Sequence, residues 1–293
     1  MKTKLKESNF MCEIINHIKD IVPLETPTIS LLTLQVSERI HELISLIEPR
    51  LPTKTDQQMI IEKTFWPKGH AYCMANLIMP FTGNNFLPQE ADAIDRTKES
   101  IRNFMGGKTK MIESTDSENT AIFPQGDQIE WKTFSSAQRD QSIISGIVAK
   151  TTSNHAFNGY LAHSIFQKDG KYYAVRVGAG AYPVSGLGSI IDFINTQLGP
   201  QIWQYSDWAV DYKKHGREKF QQFYGNDALK KTENLLRSET PDFYIDLLLE
   251  RQLRQDDFHV HNHLEGESEY NLKTLINLGW CTRTIQKNIM ENI

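Results

Sequence analysis

Two groups of side chains in this 293-residue chain have residue types and spacing suited to chemistry. The first joins Cys73 to a histidine. Cys73 stands in GHAYCMANL, after a loop marked by Pro67 and Gly69 and near the start of Ala71–Met79, a run of good helix formers. A thiol at a helix N-terminus and beside an imidazole loses its proton readily and becomes a nucleophile. His155, in NHAF, and His163, in AHSIFQ, lie just before or on a strand that enters a hairpin. Either imidazole could approach the sulfur in space and serve as general base. The second group is DDFHVHNHLEGESE, residues 256–269. His259, His261 and His263 alternate, so on an extended strand all three point to one side, as three metal ligands would. Glu265 and Glu267 could then orient the ligands or act as a base. Each group also has a purely structural reading: Cys73 as a small buried core residue, the two histidines as hydrogen-bonded strand residues, and the 256–269 stretch as a polar loop.

The elements that would position these groups centre on residues 154–199. The pattern predicts a strand, a KDG turn, a second strand (KYYAVRVGAG) and a short amphipathic helix in LGSIIDFINTQLG. Upstream, apolar residues at helical spacing predict helices over 10–21 and 30–47, with Pro49 and Pro52 ending the second. Residues 57–65 fit a helix or a strand. Residues 89–105 read as a helix opened by Pro88 and closed by Gly106 and Gly107. Residues 128–134 alternate as a strand, and 135–150 read as a helix rich in small residues. Gly199-Pro200 marks a break, beyond which helices are expected at 216–224, 227–237, 242–255, 270–278 and 282–293.

Loop, cysteine and helix, followed by a histidine strand in a hairpin, resemble the papain-like cysteine proteases, above all the compact versions among bacterial effector proteases. The matching residues are GHAYCMANL around Cys73, NHAF around His155 and AHSIFQKDGKYYAV around His163, within residues 66–198. The resemblance implies a papain-like core with Cys73 as nucleophile, His163 as base, His155 as the alternate base, and backbone N–H groups holding the oxyanion. It implies a protein substrate and no cofactor. Where the family carries an orienting Asp or Asn, this chain has Arg176, Val177 and Gly178, and no Gln precedes Cys73.

Other motifs carry less. MGGKTK at 105–110 ends like a phosphate-binding loop, but it follows a helix and has Arg102 at the first glycine position. KYYAVRV resembles a kinase strand with Arg176 in place of the lysine, and no catalytic-loop motif follows. Trp203, Tyr205, Trp208 and Tyr212, with Lys213, Lys214 and Arg217, could form a partner-binding surface.

Composition sets the outer bounds. A hydrophobic content of 39% and a charged content of 23% describe an ordinary folded protein. A net charge of −4 argues against broad nucleic-acid binding. Three scattered cysteines (Cys12, Cys73, Cys281) fit a reducing compartment better than a disulfide framework. Without an apolar signal region or a membrane-length apolar run, the expectation is a cytoplasmic protein; delivery into a host cell without a classical signal peptide is compatible with it.

The fold expectation is α+β and mainly helical, with a small antiparallel sheet around the 154–178 hairpin. The expected organisation is a helical lead-in at 1–52, an α+β core at 53–199 and a mostly helical region at 200–293. The functional expectation is a cysteine-dependent hydrolase or acyl or amide transferase acting on a protein. The alternatives are a non-enzymatic interaction module using the C-terminal third, and a metal-dependent enzyme using His259, His261 and His263.

Overall fold

An antiparallel sheet of eight strands, covered on one face by helices, organises the chain. The computed structural model describes residues 28–31, 60–66, 69–81, 90–104, 109–115, 119–123, 127–135, 143–153, 155, 158–168, 170–181 and 188–237. The helices expected at 10–21, 242–255, 270–278 and 282–293 lie outside these residues, as do most of the helix expected at 30–47, Cys12, Cys281 and the whole 256–269 histidine cluster.

The strands are β1 (Ile60–Trp66), β2 (Gly69–Ile78), β3 (Lys110–Ile112), β4 (Asn119–Ile122), β5 (Gln128–Ser135), β6 (Ile143–Thr151), β7 (Asn158–Lys168) and β8 (Lys171–Ala181). Their order across the sheet is β1-β2-β8-β7-β6-β5-β4-β3. Strands β3 to β8 form a continuous meander, and the β1–β2 hairpin adds to its β8 edge. Between β2 and β3 runs α1 (Glu90–Arg102); after β8 come α2 (Gly188–His215) and α3 (Arg217–Arg237).

This overturns the expectation of a mainly helical chain with a small sheet. Strand and helix contribute nearly equal numbers of residues among the defined elements, and the sheet extends far beyond the 154–178 hairpin. Two segments account for most of the difference. Of the helix expected at 71–79, residues 71–78 belong to β2, and half of the segment expected as a helix at 135–150 lies in β6. Both are strands in the middle of the sheet, flanked on each side by another strand and buried on both faces. Such strands carry unbroken apolar runs instead of the alternation that announces a half-buried strand.

Register assigns every strand residue to a face, because directly opposed residues of an antiparallel pair share one. The row Met74, Arg176, His163, Ile147 faces one side. So does the row Tyr72, Gly178, Leu161, Ala149, Trp131. Helices α1 and α2 cover this face, where Ile101 and Trp203 join Tyr72, Met74, Trp131 and Ile147 in the core. On α1 the inward positions are Ala93, Arg96, Thr97, Ser100 and Ile101, a helical stripe of which three members are polar. The row Cys73, Val177, Ala162, Val148 looks the other way. At the end of that row, Lys132 reaches Ser30 at 2.8 Å.

Helix α2 continues through Gly199 and Pro200, where the sequence suggested a break. Proline removes one helical hydrogen bond, and here both residues are buried within the helix. The two helices expected at 216–224 and 227–237 are the halves of α3, joined at Gly225, whose φ of 85° is open to glycine at little cost.

Candidate functional site

Five side chains from three strands and two helices meet in the middle of the helix-covered face. The first is Arg176 of β8, 2% exposed, which stands where the resemblance put an orienting Asp or Asn. Its Nη1 and Nη2 donate to Asp207 Oδ2 and Oδ1 of α2 at 2.6 and 2.5 Å, a paired, planar contact. Nη2 also donates to Ser100 Oγ at 2.8 Å, and Nε donates to His163 Nδ1 at 2.7 Å. Asn76 Nδ2 donates to Asp207 Oδ2 at 2.9 Å, and Ser100 Oγ lies 3.1 Å from Oδ1. One helical turn further along α2, Asp211 lies 2.7 Å from Arg96 Nη1. It also accepts from the Met79 amide at 3.0 Å and from the Tyr224 hydroxyl at 2.6 Å.

The electrostatics follow from this packing. Burial, and then the positive charge of Arg176, hold the His163 imidazole well below its ordinary pKa, so it is neutral. Its Nδ1 lone pair is taken by Arg176, which leaves the ring proton on Nε2. Burial, and then the Asp211 carboxylate, push the Tyr224 phenol well above its ordinary range. The network is a set of matched ion pairs and hydrogen bonds that locks α1, α2 and α3 onto the sheet.

The structure does not bring Cys73 to either histidine. Cys73 lies in β2 opposite Val177, on the sheet face away from the helices, whereas His163 lies opposite Arg176 on the covered face. Cys73 is 1% exposed and sits at no helix N-terminus. His163, with its accepting nitrogen occupied, has no lone pair to take a thiol proton. His155 follows the β6 strand end, its amide bonded to the Thr152 carbonyl at 3.0 Å and its ring edge-on to Phe123. It belongs to a different feature, a cavity under α2. Among the described residues no group of three or more His, Cys, Asp or Glu is arranged to hold a metal. The aromatic run expected as a partner surface is interior: Trp203, Tyr205 and Trp208 are buried against the sheet and α3.

That cavity, of about 130 Å³, lies between the helix-covered face and α2, at the strand ends beyond the ion-pair network. Tyr72, Phe104, Phe123 and Trp203 supply aromatic wall. Phe104 packs on Trp203 at 4.2 Å and on Phe123 at 5.2 Å. His70, Asp127 and His155 add polar groups. The floor includes strand backbone at Gly159, Gly178 and Gly180. A Cβ on Gly178 would overlap the Tyr72 phenol, so glycine is what lets that ring lie across the strand. The Tyr72 hydroxyl accepts from Trp203 Nε1 at 2.9 Å, and burial pushes its pKa up to about 12.

Sequence reasoning reached His155 and His163 but not the partners that define their roles. Asp207 and Asp211, four apart in a helix segment that also carries Trp203, Tyr205, Trp208 and Tyr212, were the available signal for the ion-pair network. The cavity left a fainter trace in the glycines at 159, 178 and 180. Comparison with protein-family models finds no match for this chain, and comparison with curated proteins finds none either. No helix among the described residues is long and apolar enough to cross a membrane.

Proposed function

We propose that this chain is a ligand-binding protein that encloses a small, mainly apolar molecule between its sheet and α2. The observation that carries the reading is the cavity itself. Interiors close to crystal-like density, so a pocket of this size lined by Tyr72, Phe104, Phe123, Tyr160 and Trp203 is a departure that needs a reason. An apolar cavity of about 150 Å³ holds a benzene molecule. The volume here therefore suits a single ring, and the polar groups at the wall suit one or two polar substituents on it.

Ala149 lies on the helix-covered face at the cavity wall. Replacing it by Leu puts an isobutyl group into the space a ligand would take. Ala149→Leu should keep or raise the melting temperature and abolish the stabilisation that benzene or fluorobenzene gives the unsubstituted protein. Benzene-type ligands that fail to bind the unsubstituted protein up to their solubility, or that stabilise Ala149→Leu equally well, would remove the reading.

A further inference from the structure

Given a ligand in that cavity, its anchor is readable from one hydroxyl. Tyr72 OH accepts the Trp203 indole proton at 2.9 Å, and its own proton has no acceptor among the described residues. A buried hydroxyl that accepts without donating is half-satisfied, and accepting a bond makes the same group a better donor. The hydroxyl end of the ring lies over Gly178, itself part of the cavity floor.

The charges around the cavity select among ligands. Lys150 at the wall is held by Glu130 at 2.8 Å, so its ammonium is already matched. Arg176 lies behind Trp203, 5.4 Å from that ring, and is saturated by Asp207, Ser100 and His163. Asp127 stands buried at the wall, which disfavours a carboxylate ligand. We infer that the cavity takes a neutral single-ring molecule carrying an oxygen acceptor, a phenol or an aryl carbonyl, and that Tyr72 donates the hydrogen bond that orients it.

This rests on the cavity reading, and fluorine NMR titration separates the two. Fluorobenzene reports the cavity and 4-fluorophenol reports the anchor. Tyr72→Phe should weaken 4-fluorophenol about fivefold, the worth of one neutral hydrogen bond, while fluorobenzene changes less than about twofold. Equal effects on both ligands, or none on the phenol, would overturn the anchor and leave the cavity standing. Loss of binding of both ligands by the unsubstituted protein would overturn both. A second measurement needs no variant: 4-fluoroaniline matches the phenol in size but is a poor acceptor. The unsubstituted protein should bind the phenol several-fold tighter than the aniline, roughly the loss of one hydrogen bond; equal or reversed affinities would overturn the proposal.

Discussion

Removing the charge of Asp207 is the most direct test of how the fold is held. Four donors converge on that carboxylate: two from Arg176, one from Asn76 and one from Ser100. The Arg176 and Asp207 side chains are 2% and 1% exposed, so neither charge can turn to water. Asp207→Asn keeps the shape, removes the anion and turns an amide N–H₂ toward donors that need an acceptor. Breaking a buried pair from one side costs about 3–5 kcal/mol. Against a total stability of roughly 5–15 kcal/mol that is a large share, and the melting temperature should fall by about 10 °C. Urea unfolding followed by circular dichroism measures the loss, with the slope on denaturant unchanged. The double variant Arg176→Met with Asp207→Leu removes both charges and should recover at least about half of the loss, because the larger cost is the orphaned ion and not the missing pair. An Asp207→Asn penalty below about 1 kcal/mol, or a double variant no more stable than the single one, would refute this account of the network.

Three further outcomes follow from the same geometry. His163 is neutral when folded and takes a proton near its ordinary pKa when unfolded, so its contribution to stability is intact above that value. Below about pH 6 it is lost at about 1.4 kcal/mol per pH unit; His163→Gln should remove that slope from a pH series of unfolding curves. Tyr224→Phe removes a hydroxyl that lies 2.6 Å from the Asp211 carboxylate, and should cost about 1.5–3 kcal/mol in the same assay. Cys73 should resist iodoacetamide in the folded protein and react on unfolding, as read by peptide mapping, and Cys73→Ala should cost only about 1 kcal/mol and leave fluorobenzene binding unchanged.

The central hairpin was legible because its local signals agreed: strand residues rich in aromatic and β-branched types, a KDG turn with Gly170 at φ 73°, and matching lengths on either side. Strand β5 was legible from its alternation, with Ile129 and Trp131 buried between partly exposed neighbours. Strand β2 was not. Its letters, GHAYCMANLI, include good helix formers, and both of its faces are buried, so periodicity had nothing to report. That misreading also produced the candidate active site, since a cysteine at a helix start and a cysteine inside a strand share one sequence. The ion-pair network was illegible for a different reason: Asn76 and Asp207 are 131 positions apart, and no local pattern pairs them. Pro200 misled because a proline usually ends a helix, yet packing against the sheet carries α2 through it.

The position of β2 between β1 and β8 has a consequence for how the chain acquires its shape. Strands β3 to β8 can zip up as successive hairpins, each closing a short loop. The β1–β2 hairpin, made early, has its docking edge only once β8 exists, roughly a hundred residues later in sequence. Until then Ala71, Cys73, Ala75 and Leu77 have no partner strand on that side. The slow step of folding should therefore be the arrival of β8, and with it the closure of the ion pair that Arg176, carried on that same strand, makes with α2.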